Sequence, residues 1–397
     1  MMEYLKLRLE VLAPVRIGSY IGQISTYDYV VDGNFCYVMS EERLSRFLSE
    51  RGLSDEFARE IKRRGKDFNI KDFLSSHGIE GEADLERLAD YTVQLHEDAR
   101  PLQLLPMIRD VNRMPYIPGS SIKGAMRTAA LYSMLKKMRK EEPQRFQELF
   151  IDKVRSKIER IKKEAGGRNP SENRRKRFAA EIEQELTNHF DFENFLKRGN
   201  EYKHDPHTDI FRCLKVSDAL PVEMDCRVYD FRVLDKQNDG SLAFESPIFA
   251  EAISPGSVFE LQVSWDSWLA DRFRRLNERV PLGCLQDVLN ACKEFTTDQV
   301  RWESEFFRNC NRRLKDPARI ISELDGMEAD LRLGWGSGLT GASLSMLLPD
   351  ELRLELRDLF YRRHASGVNE FPKSRRVLVE REEPASLLGF CSMRSQR

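Results

Sequence analysis

The stretch Tyr116-Ile117-Pro118-Gly119-Ser120-Ser121-Ile122-Lys123-Gly124-Ala125-Met126-Arg127-Thr128-Ala129-Ala130-Leu131 decides how the chain is read. Pro118-Gly119 is turn chemistry, and Ser120 or Ser121 can cap the first free N–H groups of a helix. Ala125, Met126, Ala129, Ala130 and Leu131 carry that helix onward, most being good helix formers. Lys123 and Arg127 are spaced i, i+4, so both cations lie on one face near the positive end of the helix dipole. Free N–H groups, two hydroxyls, glycines that let a backbone come close and two cations together suit a phosphate or phosphodiester. An ordinary capped helix with two solvated cations would show the same residues. A Walker loop is excluded, because Lys123 precedes Gly124 and no Ser or Thr follows a Gly-Lys pair. A nucleotide-hydrolysing enzyme is therefore disfavoured.

Outward from this stretch, the totals set limits. At 397 residues the chain has length for two domains and a buried core. Its 64 Lys and Arg against 65 Asp and Glu give a net charge of −1, so any nucleic-acid site must be a local basic surface. No apolar run approaches the ~18 residues of a membrane span, and Met1-Met2-Glu3-Tyr4-Leu5-Lys6 lacks a signal-peptide layout. Seven scattered cysteines without a C-x-x-C pair argue against a disulfide framework or a zinc ribbon and fit a reducing cytoplasm.

In order along the chain, Leu5, Leu7, Leu9 and Val11 alternate with Lys6, Arg8 and Glu10, which predicts a half-buried strand ending at Pro14. Tyr27–Val31 and Phe35–Met39 flank Asp32-Gly33-Asn34 and predict a hairpin, and Ser40 before Glu41-Glu42 predicts a helix start. Residues 52–100 read as mostly helical and polar. The prolines and arginines of 100–118, Arg109 and Arg113 among them, form a loop whose arginines could line a groove. Residues 135–200 read as a charged helical block, basic enough to contact RNA phosphates or to be a plain surface hairpin. Strand character returns over 211–216 and 224–233, and Phe249–Ile253 with Val258–Val263 reads as a hairpin. Residues 264–330 read as helical, with Trp265, Trp268, Trp302, Phe306 and Phe307 as core. Gly334, Gly336, Gly338 and Gly341 then crowd a segment where backbone entropy argues against a packed strand, so they imply close approach of protein or RNA.

Three segments resemble the signature motifs of the RAMP superfamily, the RNA-binding subunits of type III CRISPR effector complexes. They are Pro115–Leu131, the strand end Leu12-Ala13-Pro14-Val15-Arg16-Ile17-Gly18-Ser19, and the glycine-rich Leu331-Arg332-Leu333-Gly334-Trp335-Gly336-Ser337-Gly338-Leu339. The resemblance implies an α+β fold of two ferredoxin-like (RRM-like) halves with antiparallel sheets and a helical insertion. The expected division is an N-terminal domain over 1–135, the insertion over 136–200, a C-terminal ferredoxin-like domain over 201–350 and a basic tail over 351–397. Length, insertion and the Pro372-Lys373-Ser374-Arg375-Arg376 tail are most similar to the subunit of type III-A (Csm) complexes that caps the 3′ end of the CRISPR RNA. That implies a cytoplasmic, non-catalytic RNA-binding subunit without cofactor or metal. Its expected partners are CRISPR RNA, neighbouring backbone and small subunits, and host nucleases that trim the RNA. By the same resemblance Gly119, Ser120, Ser121, Lys123 and Arg127 grip the RNA backbone, Arg16 and Gly18 border the groove, Gly334, Gly336 and Gly338 close it, and Lys373, Arg375 and Arg376 assist.

Two catalytic alternatives remain. His204 and His207 have H-x-x-H spacing, but no third ligand is evident, so a polar loop is expected. Cleaving relatives present an aspartate on a loop between the first motif and the signature helix. Asp28 is the nearest positional match, yet it falls in a segment read as strand. Asp218 reads as a cap or turn. The other readings are a 5′-end cap, a target-RNA-cleaving backbone subunit, or a standalone ribonuclease.

Overall fold

The computed structural model describes residues 2–97, 99–166, 170–171, 173–174, 177–178, 181–182, 209–276, 282–361 and 370–396. The alternation at the start of the chain makes the strand Met2–Val11, with Leu7, Leu9 and Val11 buried and Lys6 and Arg8 exposed. It lies inside a six-stranded sheet, antiparallel to Val258–Asp266 on one edge and to Phe390–Ser395 on the other. Leu331–Arg332 extends the sheet beyond Phe390–Ser395, while Leu214–Val216 and Leu220–Glu223 pair with Val258–Asp266.

Beneath this sheet runs the helix Gly119–Glu141, which buries Ile122, Met126, Ala129, Ala130, Leu131 and Leu135 in the main core. It packs against the long helix Leu285–Arg308. Ser133 donates to Glu294 at 2.6 Å and Tyr132 to Asp298 at 2.9 Å across that interface. Asp152–Ala165 continues the charged block and turns Val154, Ile158 and Ile161 onto the same core.

A second sheet of ten strands is ordered Ile24–Ser25, Gln103–Leu105, Ile248–Ile253, Cys226–Lys236, Ala89–Leu95, Phe35–Met39 and Tyr29–Asp32, with Leu242–Phe244, Ser374–Glu380 and Glu383–Ser386 attached beside Cys226–Lys236. The expected hairpin is present, with Tyr29 opposite Val38, Asp32 opposite Phe35 and Gly33 at φ 54°. Ser40 caps the next helix by accepting from the Arg43 N–H. Both sheets are antiparallel apart from two parallel junctions in the second. The fold is α+β.

Four expectations are corrected. Residues 89–95 are a strand inside the second sheet, because their neighbours are Phe35–Met39 and the distant Cys226–Lys236. Trp265 lies within a strand and is fully buried. Ile248–Ile253 and Val258–Asp266 are not a hairpin: the Ser254–Ser257 turn carries the chain from one sheet to the other. There Gly256 N donates to Val11 O and Val11 N to Ser257 O, so the turn is fastened to the first strand. Residues 374–395 are no loose basic tail but strands of both sheets. The first sheet thus joins both ends of the chain, across the division expected at 135 and 201.

Gly119 sits where a Cβ would lie 2.5 Å from Val216 O and 2.6 Å from Ser217 C, whereas Gly124 has open space around it. Gly119→Ala is expected to cost about 2 kcal/mol or more by overpacking, and Gly124→Ala to gain ~0.5–1 kcal/mol of helix propensity. Thermal melts of the two variants should shift in opposite directions.

Candidate nucleic-acid interface

The signature helix begins at Gly119 with Pro118 as its cap residue, and neither Ser120 nor Ser121 caps it. The cap comes from afar: Asp218 Oδ1 accepts from the Gly119 N–H at 2.7 Å. The Ile117–Ala219 bridge fastens the same two segments. Gly119 therefore serves close approach to this chain's own backbone. Ser120 is exposed and Ser121 half-buried.

Lys123 and Arg127 share a face, as their spacing requires, but differ in state. Arg127 is ion-paired with Asp209 and lies 4.7 Å over the Phe211 ring. Lys123 is half-buried and, among the described residues, has no hydrogen-bond or ion-pair partner. Burial draws its pKa below the ordinary lysine value, against the opposing field of Asp209. Of the two cations expected to grip RNA, Arg127 is thus held by Asp209, and Lys123 is unpaired among the described residues.

The second group forms around Trp335. Gly334, at φ 73°, admits the Arg16 backbone: a Cβ there would lie 2.3 Å from Arg16 O, and Trp335 N donates to that oxygen at 2.8 Å. Gly336, at φ 105°, packs on Leu388, where a Cβ would be 2.8 Å from Leu388 Cβ. Gly338 is exposed, with nothing within 4 Å of a built Cβ. The Arg16 guanidinium stands 5.3 Å from the Trp335 ring centre, and Arg376 stands over the same ring at 4.4 Å. Arg16 Nη2 donates to Pro106 O at 3.1 Å, while the Nε atoms of both arginines lack a partner. Gly18 lies alongside, its built Cβ 3.2 Å from Arg16 Nη1. Burial lowers both guanidinium pKa values. For Arg16 the field of Glu251 opposes the shift and that of Arg376 adds to it, and for Arg376 the field of Glu245 opposes it. Among the described residues neither arginine has an acid within ion-pair reach. Two like charges over one half-buried indole make a place that favours an anion.

Arg375 and Lys373 are corrections. Arg375 points into the core, where Glu303 accepts from its Nε. Glu303 is fully buried, and its other oxygen takes Arg332 Nη1 at 2.9 Å and Thr340 Oγ1 at 3.2 Å. Arg332 in turn donates to Gly336 O and Leu388 O, so this network fixes the glycine-rich segment. Lys373 is paired with Asp235 at 2.9 Å. The reason is strand alternation: Ser374–Glu380 turns Arg375 inward and Arg376 to the other side.

Asp28 is also corrected. It is exposed on a turn between Ile24–Ser25 and Tyr29–Asp32, not within a strand, and its carboxylate accepts from Ser25 N at 2.9 Å. His204 and His207 lie outside the described residues. Among the described residues no group of three or more His, Cys, Asp or Glu could hold a metal. None of their helices is long and apolar enough to cross a membrane. Sequence reasoning missed Trp335 and Glu303. Trp335 lay inside a motif read for its glycines, and a lone Glu in an amphipathic helix carries no local sign of burial.

Two mostly antiparallel sheets around the helix Gly119–Glu141, with a glycine-rich segment after Leu331–Arg332, make a fold that defines a class. A sequence model of the RAMP superfamily matches residues 8–339, and the chain belongs to that superfamily. It is similar to the CRISPR system Cms protein Csm5 of Methanocaldococcus jannaschii, 21% identical over 419 aligned positions covering 98% of this chain and 88% of that protein. Its fold is shared with a chain of a Csm–crRNA–target RNA ternary complex of a type III-A CRISPR-Cas system, with TM-score 0.71, 20% identity, and coverage of 99% of this chain and 100% of that one. It is shared also with T. onnurineus Csm5, with TM-score 0.61, 21% identity, and coverage of 97% and 99%.

Removing the Glu303 carboxylate leaves two buried guanidiniums uncompensated, and Glu303→Ala is expected to cost ~3–5 kcal/mol. Burial opposes the Glu303 charge, but Arg375 and Arg332 outweigh it and hold its pKa below the usual carboxylate range. The carboxylate's contribution is therefore complete above the unfolded value of about 4.3 and is lost as pH falls through the depressed folded value. Urea melts between neutral pH and pH ~3 should show this acid loss in the wild type and a flatter profile in Glu303→Gln.

Proposed function

We propose that this chain is a non-catalytic CRISPR RNA-binding subunit of a type III-A effector complex, which holds the 3′ end of the guide and aids its maturation by recruited nucleases. The observation that carries the reading is the pair of guanidiniums, Arg16 and Arg376, over Trp335, neither of them ion-paired among the described residues. Lys123 supplies a further uncommitted cation. Superfamily membership and the near full-length likeness to Csm5 support the placement in a Csm assembly, with neighbouring backbone and small subunits as protein partners. Cations that meet sugar–phosphate rather than base edges position a strand without reading it, so little sequence preference is expected. Localisation in the cytoplasm follows from that assembly.

Lys123→Ala with Arg376→Ala should weaken binding of single-stranded RNA severalfold. The slope of log affinity against log salt should fall by about 0.7 for each phosphate the variant no longer neutralises. An unchanged slope in filter-binding titrations would refute the reading.

A second reading has one observation in its favour, the exposed turn that presents Asp28. Target cleavage would then depend on that carboxylate. Labelled RNA incubated with the purified chain and Mg²⁺ is expected to stay intact on gels, and Asp28→Ala is expected to leave cleavage by an assembled complex unchanged. Loss of cleavage in that variant would establish the second reading instead.

A further inference from the structure

A cleft of about 630 Å³ opens between the segment Arg109–Pro115 and the strand Ala89–Leu95, with Arg43, Tyr91, Arg109, Arg113, Met114 and Met224 on its walls. None of these residues belongs to the Trp335 surface. Arg109 forms the floor: its side chain is 9% exposed and pairs with the fully buried Glu251 at 3.0 Å. Glu251 also takes the Tyr91 hydroxyl at 2.8 Å and Met107 N at 2.9 Å, and Arg109 lies 3.8 Å over the Tyr91 ring. Burial opposes the Arg109 charge, yet Glu251 and nearby groups leave its pKa above the ordinary value. Its Nε is buried without a partner.

The other two arginines have donors to spare. Arg113 meets Asp90 through Nε at 2.9 Å. Arg43 donates to Ala89 O at 2.6 Å and, among the described residues, pairs with no carboxylate. Three guanidiniums thus face one wall carboxylate, Asp90, and one buried behind the floor, Glu251. The lip is built under strain. Asp110 Oδ1 takes Asn112 N at 2.9 Å and Met114 N at 2.8 Å, and the resulting tight turn holds Arg113 at φ 64°. A left-handed backbone costs a non-glycine residue ~1–2 kcal/mol, and such strain concentrates where a side chain must be aimed. Val111 at the tip is 93% exposed, and Met114 beside it 44%. Guanidiniums at the wall with an apolar lip suit a phosphate joined to a planar apolar group better than a bare anion.

We propose that this cleft binds a nucleoside monophosphate, either free or as the phosphate-bearing end of a strand. Arg43 and Arg113 hold the phosphate above the Arg109 floor, and Val111, Met114 and Met224 receive the base. The site binds and performs no chemistry, and it stands apart from the reading of the Trp335 surface.

The test is arginine labelling of the full chain with phenylglyoxal, read by peptide mass spectrometry, in the presence of AMP or of an RNA pentamer with or without a 3′-phosphate. AMP should protect Arg43 and Arg113 while leaving Arg16 and Arg376 at their unliganded rates. Arg113→Ala should weaken AMP binding about tenfold, as removal of one charge-assisted pair would, and Arg113→Lys should recover part of it. Protection by the phosphorylated pentamer alone would support the strand-end form, and protection by AMP the free form. Absence of protection by every ligand, or an Arg113→Ala chain that binds AMP like the wild type, would overturn the proposal. Failure of long-RNA binding in Lys123→Ala with Arg376→Ala, with AMP protection intact, would separate this site from the other.

Discussion

One buried carboxylate organises the molecule. Glu303 projects from the long helix Leu285–Arg308 and joins Arg332, before the glycine-rich segment, to Arg375, on a C-terminal strand. Burying a charge is costly unless it is paired and hydrogen-bonded, so these three elements must arrive together. Aromatic faces complete the setting, with Arg332 over Phe390 at 4.6 Å and Arg375 over Phe306 at 3.9 Å. Because the same helix packs on Gly119–Glu141, the network ties the late loop to the signature helix. The position of Trp335, and so of the guanidiniums over it, depends on this arrangement.

Many of the described cations are neutralised locally, as Arg63 and Arg64 are by Glu60 and Lys136 by Glu294 and Asp298. Exposed pairs of this kind contribute little to stability, but they remove their members from any role in binding. Among the described residues Arg16, Arg376 and Lys123 form no ion pair, although the fields of Glu251, Glu245 and Asp209 reach them. Total charge therefore does not reveal such local excess.

The close approaches follow the same logic of shape. At Gly119, Gly334 and Gly336 other segments of this chain fill the space a Cβ would need, whereas Gly124 and Gly338 face open space. A glycine-rich motif is therefore first a packing device that lets distant segments of the chain meet.

What the sequence by itself determined was local: the strand Met2–Val11, the hairpin over 29–39, the Ser40 cap, and the helix launched at Pro118-Gly119. Each rests on side-chain periodicity or on hydrogen bonds spanning a few residues, and the resemblance to the superfamily added the overall architecture. Tertiary structure alone decided that 89–95 is a strand, that 253 and 258 belong to different sheets, that Asp218 caps a helix begun at Gly119, and that Arg375 is buried while Arg376 is only half-buried. Those outcomes hang on partners up to hundreds of residues away, and burial of a charge becomes legible only when the group that compensates it is in place.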